Sequence, residues 1–322
     1  MEPIRVARSF IAGDALAEVI NKEYSLGSNV TCTLFSKMLR SQDNDHYKVM
    51  SDEGDIYVAR IYQRGDHFER QKSDYEYELD WLNFLFDRDM PVSYPIQRVD
   101  GRFLGSMLAP EGIRYFALFS LAQGKNMSPN DQDQLFVCGQ KMAQIHLVSN
   151  EFKTDYSRQS MDLDFLLNKP VQRIKEYWEN KPSKLEQLDL LMITGEEAKV
   201  TIEELLTNEI NTEDGWGPIG GDFHTASTYF DASNNPTFFN FDLCGPGWRS
   251  YDIATFLLNT DLIHQESADS SESFFAGYYS VRQLSQNEHE AIYPFMTIRR
   301  IWLTSLFTIT QGLAGHTFIA AA

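Results

Sequence analysis

In the first third of the chain, short apolar runs alternate with turn residues. Val30 to Leu39, His46 to Met50 and Ile56 to Tyr62 are rich in β-branched and aromatic residues and predict strands. Ser51-Asp52-Glu53-Gly54 predicts the hairpin turn between the last two, with Gly54 supplying a positive φ. Residues near Asp14 to Tyr24 predict a short helix ahead of them. From about Arg70 to Asp87 the period changes. Tyr75, Leu79, Leu82 and Leu85-Phe86 recur at helical spacing, and Met90-Pro91 ends the pattern. Ile96 to Val99, Phe103 to Leu108 and Arg114 to Leu121 predict three more strands, the first two joined at Asp100-Gly101.

After Gln123-Gly124-Lys125 the pattern becomes helical. Asn130 to Ser149 and Lys169 to Glu179 each predict one helix, Pro182 to Glu209 one or two, and helices resume from Tyr251. A β-rich island, Ile219 to Phe241, interrupts them. The class is therefore α+β, with an antiparallel sheet in residues 1–122 and a mainly helical part in 123–322. Ile301 to Ala322 lacks Asp, Glu, Lys and Arg but carries several hydroxyls, Gln311 and His316, which predicts a buried helix rather than a membrane span. The chain stops on Ala320-Ala321-Ala322 without a helix stop signal, which leaves a continuation open.

Composition adds exclusions. The 322 residues are 43% hydrophobic and 23% charged, in the range of folded globular chains. Twenty-eight basic against 46 acidic residues give a net charge of -18, which excludes non-specific nucleic-acid binding and a polybasic membrane patch. That balance fits a protein that handles cations, an anion held in a locally basic cleft, or charge that serves solubility alone. Cys32, Cys138 and Cys244 form no CxxC, so neither a disulfide framework nor a zinc ribbon is expected. Met1 to Arg5 opens no signal-peptide apolar core, so a cytoplasmic location is expected.

The chemistry concentrates in the island. Asp222 follows two glycines in Ile219-Gly220-Gly221-Asp222-Phe223-His224-Thr225-Ala226-Ser227, where the backbone can approach a ligand. Asp242 follows the apolar run Thr237 to Phe241. Two carboxylates on neighbouring loops suit phosphoryl transfer, one receiving a hydroxyl proton and the other holding a divalent cation. If that run is a strand of period two, Asn240 and Asp242 point to the same side. No nucleophile elbow, HExxH or GxGxxG is present, so hydrolase and dehydrogenase readings have no support.

Gly220-Gly221-Asp222-Phe223-His224-Thr225-Ala226-Ser227, then Asn240-Phe241-Asp242, then Tyr251-Asp252-Ile253-Ala254 resemble the HGDxHxxN, DFD and YDxA elements of the aminoglycoside phosphotransferase and choline kinase family. The Cys244 to Arg249 link is similar as well. The resemblance covers nearly the whole chain. It implies a two-lobed protein-kinase-like fold, with a nucleotide-binding N-lobe in 1–122 and a C-lobe in 123–322 that carries the catalytic loop and the acceptor site. It also implies ATP or GTP, Mg²⁺, and phosphoryl transfer to a hydroxyl of a small molecule such as an aminoglycoside, an amino alcohol or a sugar. On that pattern Asp222 is the catalytic base, and Asp242, Asn240 and Ser227 are the metal ligands. Arg60, in Tyr57-Val58-Ala59-Arg60, contacts the nucleotide phosphates and pairs with Glu78, for which Glu76 is a competitor. Phe119, in Phe116 to Ser120, falls in the adenine-receiving hinge. His224 orders the loop, and Asp252 braces it from a helix start.

Three positions depart from the pattern. The family His is Gly220, the family Asn is Ser227 and the family metal-binding Asp is Asn240, so that only Asp242 restores a negative charge. These departures keep a second reading open: a kinase-like binding or scaffold module with a decayed metal site. The acidic stretch Asp261 to Glu272 is either a solvated loop or a receiver of a cationic acceptor.

Overall fold

A computed structural model describes residues 6, 9–35, 44–63, 70–208, 212, 214–263 and 268–309. Helix α1 (Gly13–Glu23) leads into strands β1 (Thr31–Leu34), β2 (Asp45–Met50) and β3 (Ile56–Ile61). Helix α2 (Lys72–Phe86) follows, and then β4 (Gly105–Ala109) and β5 (Gly112–Ser120). The five strands form one antiparallel sheet in the order β1-β2-β3-β5-β4. Gly54 turns the β2–β3 hairpin at φ +88. Tyr47, Val49, Ala59, Ile61, Phe116 and Leu118 bury one face of the sheet under Leu16 and Ile20 of α1. Helix α2 buries Tyr75, Leu79, Leu82 and Leu85 in a second, larger core that runs on into the helical lobe.

The segment 96–99 is not a strand, contrary to the sequence expectation. Pro91 and Pro95 lack N–H donors, so a ladder cannot propagate through this stretch. Only an isolated bridge, Pro95 to Phe119, and single bonds such as Ile96 N–H to Leu118 O (2.7 Å) attach it to the sheet.

The second lobe opens with β6 (Lys125–Asn126) and α3 (Gln132–Val148), followed by α4 (Lys169–Trp178) and α5 (Leu185–Leu206). Next come β7 (Trp216–Ile219), β8 (Thr228–Phe230), β9 (Pro236–Phe238) and β10 (Gly245–Trp248), so the β-rich stretch extends past both ends of the expected island 219–241. Helices α6 (Arg249–Ile263), α7 (Ala268–Tyr279), α8 (Gln286–Glu290) and α9 (Ile292–Ile309) complete it. The stretch 182–209 contains one long helix after a tight turn at Pro182–Lys184. Helix α9 is buried along Ile298, Ile301, Trp302 and Ser305, while residues 310–322 lie outside the described residues. No helix among the described residues is long and apolar enough to cross a membrane. This is the α+β, two-lobed arrangement that the sequence motifs imply.

Candidate active site

Two small ladders set the site. β7 pairs with β10, and β8 pairs with β9 and β6. The loop leaving β7 (residues 220–227) and the loop leaving β9 (239–244) are thereby held side by side, and Phe239 N–H donates to Ser227 O at 3.0 Å. Gly221 takes φ +73, and a Cβ there would meet the Leu243 carbonyl at 2.5 Å, so the turn that presents Asp222 needs glycine. Gly220 is explained by packing: a Cβ would meet the Phe223 ring at 2.5 Å. That ring sits edge-on to Phe238 and Phe241, an aromatic floor under both loops.

Asp252, at the start of α6, fixes this turn from below. Its carboxylate accepts from Gly220 N–H (2.8 Å) and Gly221 N–H (2.7 Å), and His146 Nε2 lies 3.2 Å away. Burial pushes the Asp252 carboxyl up to about 7, against the pull of the two backbone donors. Burial likewise holds His146 well below its ordinary value. The pair is therefore a buried brace for the loop.

Asp222 Oδ1 is ion-paired with Arg299 of α9, whose guanidinium also lies over the Trp302 ring. The other oxygen, Oδ2, is 3.7 Å from His224 Nε2, and the same nitrogen is 2.7 Å from Ser227 Oγ. Burial lowers the His224 pKa, against the opposing pull of Asp222 and, more weakly, Asp242, while Arg299 reinforces the lowering.

Asn240 and Asp242 do not share a strand face. β9 ends at Phe238, and Asn240 adopts φ +68, a left-handed conformation that Asn tolerates better than other non-glycine residues. The apolar run Thr237 to Phe241 continues past the strand end because Phe241 turns into the aromatic floor, where it meets Trp81 at 5.6 Å. Asp242 Oδ2 accepts from Asn44 Nδ2 of the first lobe at 3.2 Å.

A cleft of about 620 Å³ lies between the lobes, lined among others by Arg60, Phe119, Leu121, Ser227, Asn240 and Asp242. His224 also lines it, while Asp222, 3.7 Å from that imidazole, is not among the lining residues. On the opposite wall Arg60 NH1 pairs with Glu78 Oε1 at 2.5 Å, almost fully buried. Although burial alone lowers the Arg60 pKa, Glu78 outweighs it and the guanidinium stays cationic. Arg60 Nε is buried and has no partner among the described residues. Glu76 instead pairs with Lys72 at the surface, 2.9 Å away. The Phe119 ring lies 4.6 Å from the Arg60 guanidinium, but its backbone is committed to the β3–β5 ladder. Ser120 is engaged too, bonded to Ser93 and Tyr94. Leu121 and Ala122 are the first lining residues beyond the ladder.

The cleft wall offers hard oxygen donors: the Asp242 carboxylate, the Asn240 amide and the Ser227 hydroxyl. No cluster of three or more His, Cys, Asp or Glu among the described residues could hold a metal ion by itself. One carboxylate with neutral oxygens fits a Mg²⁺ ion that arrives with phosphates and retains water, not a resident ion in an all-protein cage.

His46, opposite Arg60 in the β2–β3 register, also lines the cleft. Burial, assisted by Arg60, pushes its pKa down to about 4. A depressed His pKa contributes stability that is present above its unfolded value and lost as pH falls through the folded one. Acidification from about pH 6.5 to 4 is therefore expected to cost the wild type up to about 3 kcal/mol through this group. Urea unfolding of His46→Gln over the same range should show a shallower loss, and an identical pH profile would contradict the assignment.

Arg299, Arg158 and Asn44 were not singled out from the sequence. Arg299 carried a signal, a charged residue at the edge of an apolar helix. Asn44 and Arg158 sit in irregular segments where spacing says nothing of orientation.

A nucleotide-sized cleft between a five-stranded lobe and a helical lobe, edged by acidic loops, defines a kinase-like transferase architecture. Residues 37–291 match the model of the phosphotransferase enzyme family, and the chain belongs to that family. An uncharacterized protein of Synechocystis sp. is 29% identical over 309 residues, covering 96% of this chain and 81% of the relative. Among solved structures, a microcompartment-associated aminopropanol kinase superposes with TM-score 0.74 at 23% identity, covering 94% of this chain and 92% of the other. An amicoumacin kinase in complex with AMP-PNP and Ca²⁺ gives 0.71 at 15% identity, with 96% and 91% covered. These likenesses confirm the protein-kinase-like fold.

Proposed function

We propose that the chain is an ATP-dependent phosphotransferase acting on a hydroxyl of a small, amine-bearing alcohol. One observation carries the reading: Asp242 and His224 line one interlobe cleft, with Asp222 3.7 Å from that imidazole, and the same cleft is lined by an arginine anchored by a buried glutamate. Residues 1–122 form the nucleotide lobe in this reading and 123–322 the acceptor lobe. The aminopropanol kinase and amicoumacin kinase folds support the acceptor class. The net charge of -18 is compatible with attraction of a cationic substrate.

Asp222 is assigned as the base. Arg299 holds Oδ1, which leaves Oδ2 on the His224 side to receive the acceptor's proton. As the acceptor oxygen bonds to the terminal phosphorus, the bond to the bridging oxygen breaks and the nucleoside diphosphate leaves. Arg60 offsets charge on the phosphates, and the cleft-lining backbone past the ladder, at Leu121 and Ala122, suits the base of the nucleotide. Asp242, with Asn240 and Ser227, would hold Mg²⁺. When bound, the ion neutralises phosphate charge and favours in-line transfer.

The neutral Asn240 and Ser227 favour a second reading, a kinase-like binding or scaffold module with a decayed metal site. Nucleotide consumption by the purified chain, measured across aminoglycosides, amino alcohols and sugars against an Asp222→Asn control, separates the two. Acceptor-dependent turnover above the control is expected. Turnover equal to the control with every acceptor, and no Mg²⁺-dependent thermal stabilisation by ATP, supports the module instead.

A further inference from the structure

The strap of chain between α3 and α4 passes between helix α2 and the loop that carries Asp242. Ser157 N–H donates to Ser73 Oγ (2.7 Å), and Gln159 N–H donates to Asp74 Oδ1 (3.0 Å). Two residues further, Met161 N–H donates to Pro246 O (2.7 Å). Between these stitches, Arg158 spends its whole guanidinium on backbone. Nε donates to Cys244 O (2.6 Å), NH1 to Asp74 O (2.6 Å) and NH2 to Asp242 O (2.5 Å). Two of these carbonyls flank Leu243 in a loop with no ladder of its own, and the third lies in the first turn of α2. A planar fork that binds three carbonyls fixes the distance between the elements bearing them.

The consequence reaches the cleft. Glu78 lies one helical turn beyond Asp74 on the same face of α2, and it holds Arg60. Asp242 belongs to the other clamped segment. A path thus runs from Asp242 through Arg158 to Asp74 by hydrogen bonds, along one turn of helix α2 to Glu78, and by ion pair to Arg60. We propose that Arg158 is a positioning residue that sets the spacing between Arg60 and Asp242. It thereby keeps helix α2 docked against the loop that carries Asp242. The functional part of this inference rests on the phosphotransferase reading; the mechanical part does not.

The test uses the full chain as wild type, Arg158→Met, Arg158→Lys, and Arg88→Met, which removes a surface ion pair with Glu151 and a stacking contact on Phe84 but no bond to the clamped segments. Hydrogen exchange is measured without nucleotide, and ATP affinity is measured with Mg²⁺. In Arg158→Met, exchange is expected to rise together in residues 72–78 and 242–247 while α5 keeps its protection. ATP affinity is expected to fall about 10- to 100-fold. Arg158→Lys should recover little of either, because one ammonium cannot span three carbonyls, and it gives the answer if the Met variant does not fold. Arg88→Met should match the wild type. Faster exchange confined to 157–161, or α2 protection and ATP affinity equal to the wild type's, overturns the proposal. If the wild type binds no ATP, the phosphotransferase reading fails, and the exchange pattern alone decides the coupling.

Discussion

Asp222→Asn is expected to lower acceptor-dependent phosphoryl transfer about 10²- to 10⁴-fold while leaving nucleotide affinity unchanged. The amide keeps an oxygen for Arg299 and nearly the same volume, so the loop held by Gly220, Gly221 and Asp252 has no reason to move. What is lost is the ability of the second carboxylate oxygen to take a proton. Asp222 is also not among the cleft-lining residues, so a change there should leave the nucleotide's contacts in place. Steady-state turnover and calorimetric titration of ATP separate the two effects. Equal turnover of variant and wild type would remove Asp222 from the chemistry.

The second large effect concerns packing. Helices α3 and α7 meet at Gly139 and Gly277. A Cβ on Gly139 would strike the Phe274 carbonyl, and one on Gly277 the Phe136 carbonyl. Backbone stands on both sides of the contact, so no side-chain end can give way, and the helices must separate to admit a side chain. Gly277→Leu is expected to cost more than about 3 kcal/mol of stability. The loss should read as a large drop in the urea midpoint. His146 sits on α3 and bonds Tyr278 of α7 at 2.9 Å, so the same separation should loosen the brace under the catalytic turn. A midpoint equal to the wild type's would show that the two helices can part without cost.

Much of this was legible in the sequence, and the reasons are physical. Period-two and period-three-to-four patterns are imposed by burial, so β2, β3, β5, α2 and α3 fall within a few residues of their expected bounds. Asp222 stood out after two glycines and Asp252 at a helix start, whereas His224 was singled out through the family resemblance. The misreadings arose where tertiary context outweighed pattern. Residues 96–99 are apolar enough for a strand, yet the prolines before them deny the ladder its donors. The run to Phe241 looked like continuous strand because Phe241 is buried, but its burial serves the aromatic floor, and Asn240 turns left-handed on the way. Arg299 and Arg158 act over 77 and 84 residues of separation, and no local pattern encodes such partners. Of the segments flagged earlier, 310–322, 36–43 and 264–267 within the acidic stretch lie outside the described residues.

The central claim is that the cleft holds a nucleoside triphosphate whose cation is carried by Asp242. A crystal structure with a non-hydrolysable ATP analogue and Mn²⁺, read at the manganese absorption edge, tests it most directly. The expected map has an anomalous peak on the Asp242 carboxylate, released from Asn44, with the phosphates facing Arg60. A triphosphate bound elsewhere, or one in the cleft with Asp242 still on Asn44 and no manganese beside it, would contradict the account.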